Sequence, residues 1–170
     1  MKIAMYVHRK GMETRMTFNF TFGLTVYFDK LVASQIHQYI ERTTFKKESG
    51  GILVGYVEPL KNTITITDIT YPQTCDRRSL FRFLRKQSGH QAIMDNLWKE
   101  SNFEKMYLGE WHTHNTPIPT PSSIDIREWK KTMRKSHNSP HIVFMIIGTN
   151  ETRLWTIKDN IAYSASEMIE

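Results

Sequence analysis

The chain of 170 residues holds a single cysteine, Cys75. One thiol makes no internal disulfide and builds no thiolate cage for a structural metal. That usage is expected of a protein kept in a reducing cytoplasm. Long apolar runs are missing too. The longest, residues 142–147, falls far short of the roughly 20 residues a membrane-crossing helix needs, so no membrane partner is expected. Residues 3–7 are apolar, but His8, Arg9 and Lys10 follow at once, and no secretory leader is expected. Internal repeats, low-complexity tracts and Gly/Ser linkers are absent as well. One domain over residues 1–170 is the expectation.

What is present suits a folded domain. Hydrophobic residues make up 39% and charged residues 24%, which argues against general disorder. The net charge of +6 is uneven. Residues 76–86 hold Arg77, Arg78, Arg82, Arg85 and Lys86 against Asp76, and residues 127–135 hold Arg127, Lys130, Lys131, Arg134 and Lys135 against Glu128. Each segment is a local +4. Such segments meet an acidic protein surface or nucleic acid, or are simply the wet faces of helices.

The hydrophobic pattern mixes short strands with helices. Residues 16–22 and 24–28 read as strands. Val32, Ile36 and Ile40 recur every four residues, predicting a helix over 31–42 with Asp29 near its start. Residues 51–57 and 63–69 read as strands around a turn at 58–62. Residues 79–86 fit strand or helix equally. A helix is predicted from Ser88, with Ser88 and Gln91 as a capping-box pair. Residues 105–114 read as a strand, and residues 115–121, with three prolines, as a loop. A helix from about Ser122 to Lys135 follows. Residues 141–148 form a near-continuous apolar strand, expected to be central, and 153–157 and 161–164 complete the set. The fold class is therefore mixed α/β (α+β), a largely antiparallel sheet flanked by helices.

The informative segment is Gly109-Glu110-Trp111-His112-Thr113-His114. Side chains two apart on a strand share a face, so His112 and His114 project together and can meet one ion. Asp125 lies eleven residues beyond His114, past the stiff loop and in the first turn of the next helix. Two imidazoles and a carboxylate leave one tetrahedral position open, the pattern of a catalytic zinc site. Ser122 and Asp125 have a second reading, as a helix N-cap and an acidic first-turn residue. Glu110 shares the histidines' parity and qualifies as a general base. His90, His137 and His141 have no comparable partners and read as structural or surface residues. Trp111 and Trp129 read as packing.

His112-Thr113-His114, seven residues, Ser122, two residues, Asp125 resembles the zinc motif of the JAB/MPN (JAMM) metalloprotease family. Residues 48–55, Glu-Ser-Gly-Gly-Ile-Leu-Val-Gly, resemble that family's upstream glutamate segment. One departure is Asn115, where the family commonly has proline. The resemblance implies one Zn2+ per chain held by His112, His114 and Asp125. It implies Glu48 as general base, in preference to Glu110, and Ser122 as a donor to the oxyanion during amide hydrolysis. The run around Arg82, His90, Trp98 and 109–112 is most similar to bacterial stand-alone members associated with antiphage defence of the cyclic-oligonucleotide (CBASS) type. These imply a protein substrate joined through its C-terminus to a target amine, either a ubiquitin-like protein or a conjugated nucleotidyltransferase. Arg82, Arg85 and Lys86, or the 127–135 segment, are then expected to face an acidic part of that substrate. Two other readings stay open: a catalytically inactive MPN-like scaffold, and a basic nucleic-acid-binding module, which leaves the His/His/Ser/Asp spacing unexplained.

Overall fold

The computed structural model describes residues 15–42, 46–137 and 141–168. The apolar stretch at 3–7 lies outside them. Ten strands and three α-helices are present among the described residues. In chain order these are β1 (Met16–Asn19), β2 (Thr25–Phe28), α1 (Lys30–Arg42), β3 (Gly50–Glu58) and β4 (Thr63–Ile69). Next come β5 (Arg77–Arg78), β6 (Phe83–Leu84), α2 (Gln87–Glu100), β7 (Met106–Thr113), α3 (Ser123–Lys135), β8 (Val143–Ile147), β9 (Thr152–Lys158) and β10 (Ile161–Ser166).

Eight strands form one sheet in the order β1-β2-β4-β3-β7-β8-β9-β10, and β5 and β6 make a separate ribbon. Only β2–β4 and β7–β8 pair in parallel within the large sheet. Its character is thus largely antiparallel, as the pattern predicts. All five residues of β8 are buried, because β8 lies between β7 and β9 and is covered on both faces. Val143, Met145 and Ile147 join a core with Val32, Ala33 and Ile36 of α1. Phe144 and Ile146 join a second core with Trp129 and Met133 of α3. α1 and α3 therefore close opposite faces of the sheet, each through one apolar stripe.

Two local expectations change. The first strand ends at Asn19, where the Phe20 N–H reaches the Leu24 carbonyl at 2.9 Å and closes a turn into β2. The Ser88–Gln91 capping box does not form. α2 starts at Gln87, so Ser88 falls inside the first turn; Ser88 Oγ contacts Cys75 Sγ and Gln91 Nε2 donates to Asp95. The carboxylate of Asp76 instead accepts the Lys86 N–H at 2.7 Å, just before the helix. The ambiguous stretch at 79–86 contains the β6 half of the ribbon.

Candidate metal centre

β7 crosses to its parallel neighbour β8 through the proline loop and α3. This puts His112 at the C-terminal end of β7 and His114, Ser122 and Asp125 just beyond it, where open sheets commonly hold ligands. A bulge sets their facing. The register against β3 jumps from Gly109 to Tyr107, and Gly109 has φ +139° with a would-be Cβ 1.7 Å from the Val143 carbonyl oxygen. No L side chain fits there. After the bulge, Trp111 enters the α1-side core. Glu110, His112 and His114 turn to the α3 face and line one groove with Ser122 and Asp125.

The loop is held from outside. Its Thr116 carbonyl accepts from the Thr149 N–H at 2.8 Å, its Pro117 carbonyl from Asn150 and Glu151, and the His114 N–H reaches the Ile147 carbonyl at 2.9 Å. Ser122 then caps α3. Its hydroxyl accepts the Asp125 N–H at 3.2 Å, while Asp125 Oδ2 accepts the Ser122 N–H at 2.6 Å. The capping bonds leave Asp125 Oδ1 facing His112 at 3.4 Å.

His112 Nε2 and His114 Nε2 lie 3.0 Å apart. Asp125 Oδ2 is 3.5 Å from His114 Nε2. One ligand atom from each of His112, His114 and Asp125 falls within 4.8 Å of the others. Two imidazole nitrogens aimed at one point beside a carboxylate suit zinc in both chemistry and number, with the groove side open. Glu48 is brought in from before β3. Ser49 is tied to β7 by its N–H to Thr113 Oγ1 at 3.0 Å and by its carbonyl, which accepts the Thr113 N–H at 2.8 Å. Glu48 Oε1 then sits 3.9 Å from His114 Nε2.

The electrostatics separate these groups. Burial lowers His112 to about 4, so its ring is neutral with a free lone pair at neutral pH. Burial also opposes charge on His114, but the hydrogen bond and charge of Asp125, together with Glu48, hold it above its ordinary value. Burial alone would raise Asp125; its bond to His114, the charge of His112 and its bonds with Ser122 pull it far below the usual carboxylate range. Glu48 is lifted to about 7, chiefly by burial, with His114 opposing and Asp125 adding.

Glu110 faces the predicted side, but it is engaged. Arg85 Nη2 donates to its Oε1 at 2.6 Å and the Tyr107 hydroxyl at 3.0 Å. Arg85 is thus engaged within the chain by Glu110. Nothing in residue spacing signals this pair, because the ribbon brings Arg85 to β7 across 25 positions. Trp111 and Trp129 are buried packing residues. His90 is wholly buried between Thr70 and Asp76, with His90 Nδ1 2.6 Å from Thr70 Oγ1.

Two histidines from the end of β7 and a carboxylate from α3, with a half-buried glutamate of raised pKa beside them, form a group that could hold a metal ion. The family profile described as prokaryotic homologs of the JAB domain matches residues 29–158. The chain belongs to this family. It is 33% identical over 141 residues to a protein of Escherichia coli, covering 81% of this chain and 86% of that one. It is 31% identical over 125 residues to one of Pseudomonas aeruginosa (74% and 78% covered). A protein of Vibrio cholerae is 28% identical over 120 residues (71% and 74% covered). All three are named CD-NTase/cGAS isopeptidase. In fold, the chain is similar to a Desulfitobacterium hafniense protein solved in solution, at TM-score 0.56 and 19% identity, covering 83% of this chain and 88% of that one.

Proposed function

We propose that this protein is a zinc-dependent isopeptidase that hydrolyses the amide bond between a protein's C-terminus and a target amine. The observation that carries the reading is the convergence of His112, His114 and Asp125 within 4.8 Å, with Glu48 3.9 Å from His114. The names of the relatives support the bond type and a conjugated nucleotidyltransferase as substrate; a place in antiphage defence follows from the motif resemblance. The exposed, unpaired Cys75 fits a reducing cytoplasm.

His112, His114 and Asp125 would hold the zinc. When bound, it supplies Lewis acidity, polarising a carbonyl and easing deprotonation of water. Glu48 takes the proton of the attacking water; a base near neutral pKa is matched to that task. It then hands the proton to the departing amine as the C–N bond breaks. Ser122 accepts the Asp125 N–H and keeps its own hydroxyl proton to donate to the forming oxyanion. A groove of about 730 Å³ runs from these residues past the ribbon and α3. Leu80 and Phe81, 56% and 87% exposed, rim it on the ribbon side and Ile124, 36% exposed, on the helix side. An extended C-terminal tail fits such a slot.

Metal analysis with turnover tests the proposal. His112→Ala, His114→Ala and Asp125→Ala should each lose bound zinc and activity. Glu48→Gln should keep zinc and lose turnover by about a hundredfold or more. Ser122→Ala should keep zinc and lose about a hundredfold. Full activity in a strong chelator would contradict the reading.

A further inference from the structure

Outside the metal cluster, Asp76, His90 and Thr70 form a linked set of buried polar side chains. The side chains of His90 and Asp76 are 1% and 0% exposed, and Thr70 is 2% exposed. They form an Asp–His–Thr chain, yet they line neither the catalytic groove nor the cavity between α3 and the β9–β10 hairpin. Thr70 cannot serve as a nucleophile there, because no substrate reaches it.

The hydrogen bonds fix the direction of the chain. Thr70 Oγ1 accepts the Ile52 N–H of β3 at 2.9 Å. That bond leaves the hydroxyl proton free to go to His90 Nδ1, 2.6 Å away, and the carboxylate of Asp76 on the other side of the ring can only accept. His90 must carry its proton on Nε2 and donate it to Asp76 Oδ2 at 2.9 Å. Protonating both ring nitrogens would leave the Thr70 proton buried without an acceptor. Asp76 passes the restraint on. Its Oδ2 accepts the Gln73 N–H and its Oδ1 the Lys86 N–H, both at 2.7 Å. These two bonds tie both ends of the segment that forms the β5–β6 ribbon.

The ribbon needs that tie, since a ladder of two residues per strand is not stable alone. It also carries the backbone of Glu48. The Glu48 N–H donates to the Ser79 carbonyl at 2.8 Å, and Arg78 Nε donates to the Glu48 carbonyl at 2.9 Å. Arg78 further donates to Ser49 Oγ. Glu48 itself lies outside any helix or strand.

We infer that His90 is a positioning residue for Glu48, acting through Asp76 and the ribbon and fixed by Thr70 in its Nε2–H form. The inference rests on the reading of Glu48 as the general base. A Gln at position 90 can place an N–H donor where Nε2 lies and keep Asp76 in place. An Asn reaches only the Nδ1 position and abandons Asp76.

The experiment combines the ring state of the native protein with the kinetics of two variants. Nitrogen-15 histidine spectra of the full chain should show one ring protonated at Nε2, bare at Nδ1 and slow to exchange. With a C-terminally conjugated protein as substrate, His90→Asn should lose about tenfold or more in kcat while KM moves by less and zinc stays bound. His90→Gln should stay within about threefold of the native kcat. A ring protonated at Nδ1, full kcat in His90→Asn, or equal loss in both variants would overturn the inference. If His90→Asn does not fold, the ring state and His90→Gln decide: a bare Nδ1 with retained kcat supports the inference, and a large loss in His90→Gln overturns it. Glu48→Gln separates the two proposals. Native turnover in that variant removes the general-base reading and leaves the ring state untouched.

Discussion

At the scale of single residues, burial disfavours charge on both histidines, and the bond and charge of Asp125 override it at His114 alone. His112 is held neutral, while Asp125 keeps His114 protonated to higher pH than usual. A protonated ring offers no lone pair, so zinc must displace the His114 proton. Affinity should therefore fall as pH drops through the raised His114 value, by roughly tenfold per pH unit for one displaced proton. His112, at about 4, contributes nothing to that window. Chelator competition between about pH 8 and about pH 5.5 measures this, and a flat profile would contradict it. Glu48 and Glu110 give a second contrast. Glu110→Gln keeps an acceptor for Arg85 and Tyr107 and should reduce turnover far less than Glu48→Gln; the reverse order in steady-state rates would reassign the base. Sequence spacing made His112, His114, Ser122 and Asp125 legible, because strand parity and a helix start act over short distances. Glu48 came only through resemblance. Its approach depends on Thr113 gripping Ser49 across 64 positions, which no local pattern encodes.

At the scale of elements, the bulge in β7 decides which face receives the histidines. Leu108 and Trp111 reach the same core although they are three apart, and Tyr107 meets Glu110 likewise. Parity alone fails across Gly109 and holds beyond it, where His112 and His114 lie. Gly109→Ala places a Cβ against the Val143 carbonyl at a left-handed φ. It should destabilise the protein by about 3 kcal/mol, read as a lower urea midpoint. An unchanged midpoint would show that the bulge is not needed. The long elements were readable from periodicity: the stripe of α1, the alternation of β4 and the apolar run of β8. The ribbon was not. Two residues per strand carry no period, and its form is imposed by Asp76 and His90 from outside.

At the scale of the whole molecule, the sheet is a scaffold whose two cores leave one groove between the ribbon and α3. The basic segments bracket that groove unevenly. Arg85 is spent on Glu110, while Arg127 and Lys131 pair with Glu128 at 3.4 and 2.9 Å. Arg82 and Lys135 line the groove with no such partner among the described residues, and Lys86 lies beside Arg85. Charge reversal at Arg82 and Lys135 should slow cleavage of a protein conjugate several-fold at low salt and leave a short tail peptide nearly unaffected. Equal losses on both substrates would place these charges in the chemistry instead. The bond that is cut decides the function. The most direct measurement is intact-mass spectrometry of a protein joined through its C-terminus to a lysine amine, incubated with the zinc-loaded chain. Two products are expected, the conjugated protein ending at its native C-terminal carboxylate and the target with its amine restored, and neither product with Glu48→Gln. A cut inside the tail or inside the target, or cleavage that persists in Glu48→Gln, would contradict it.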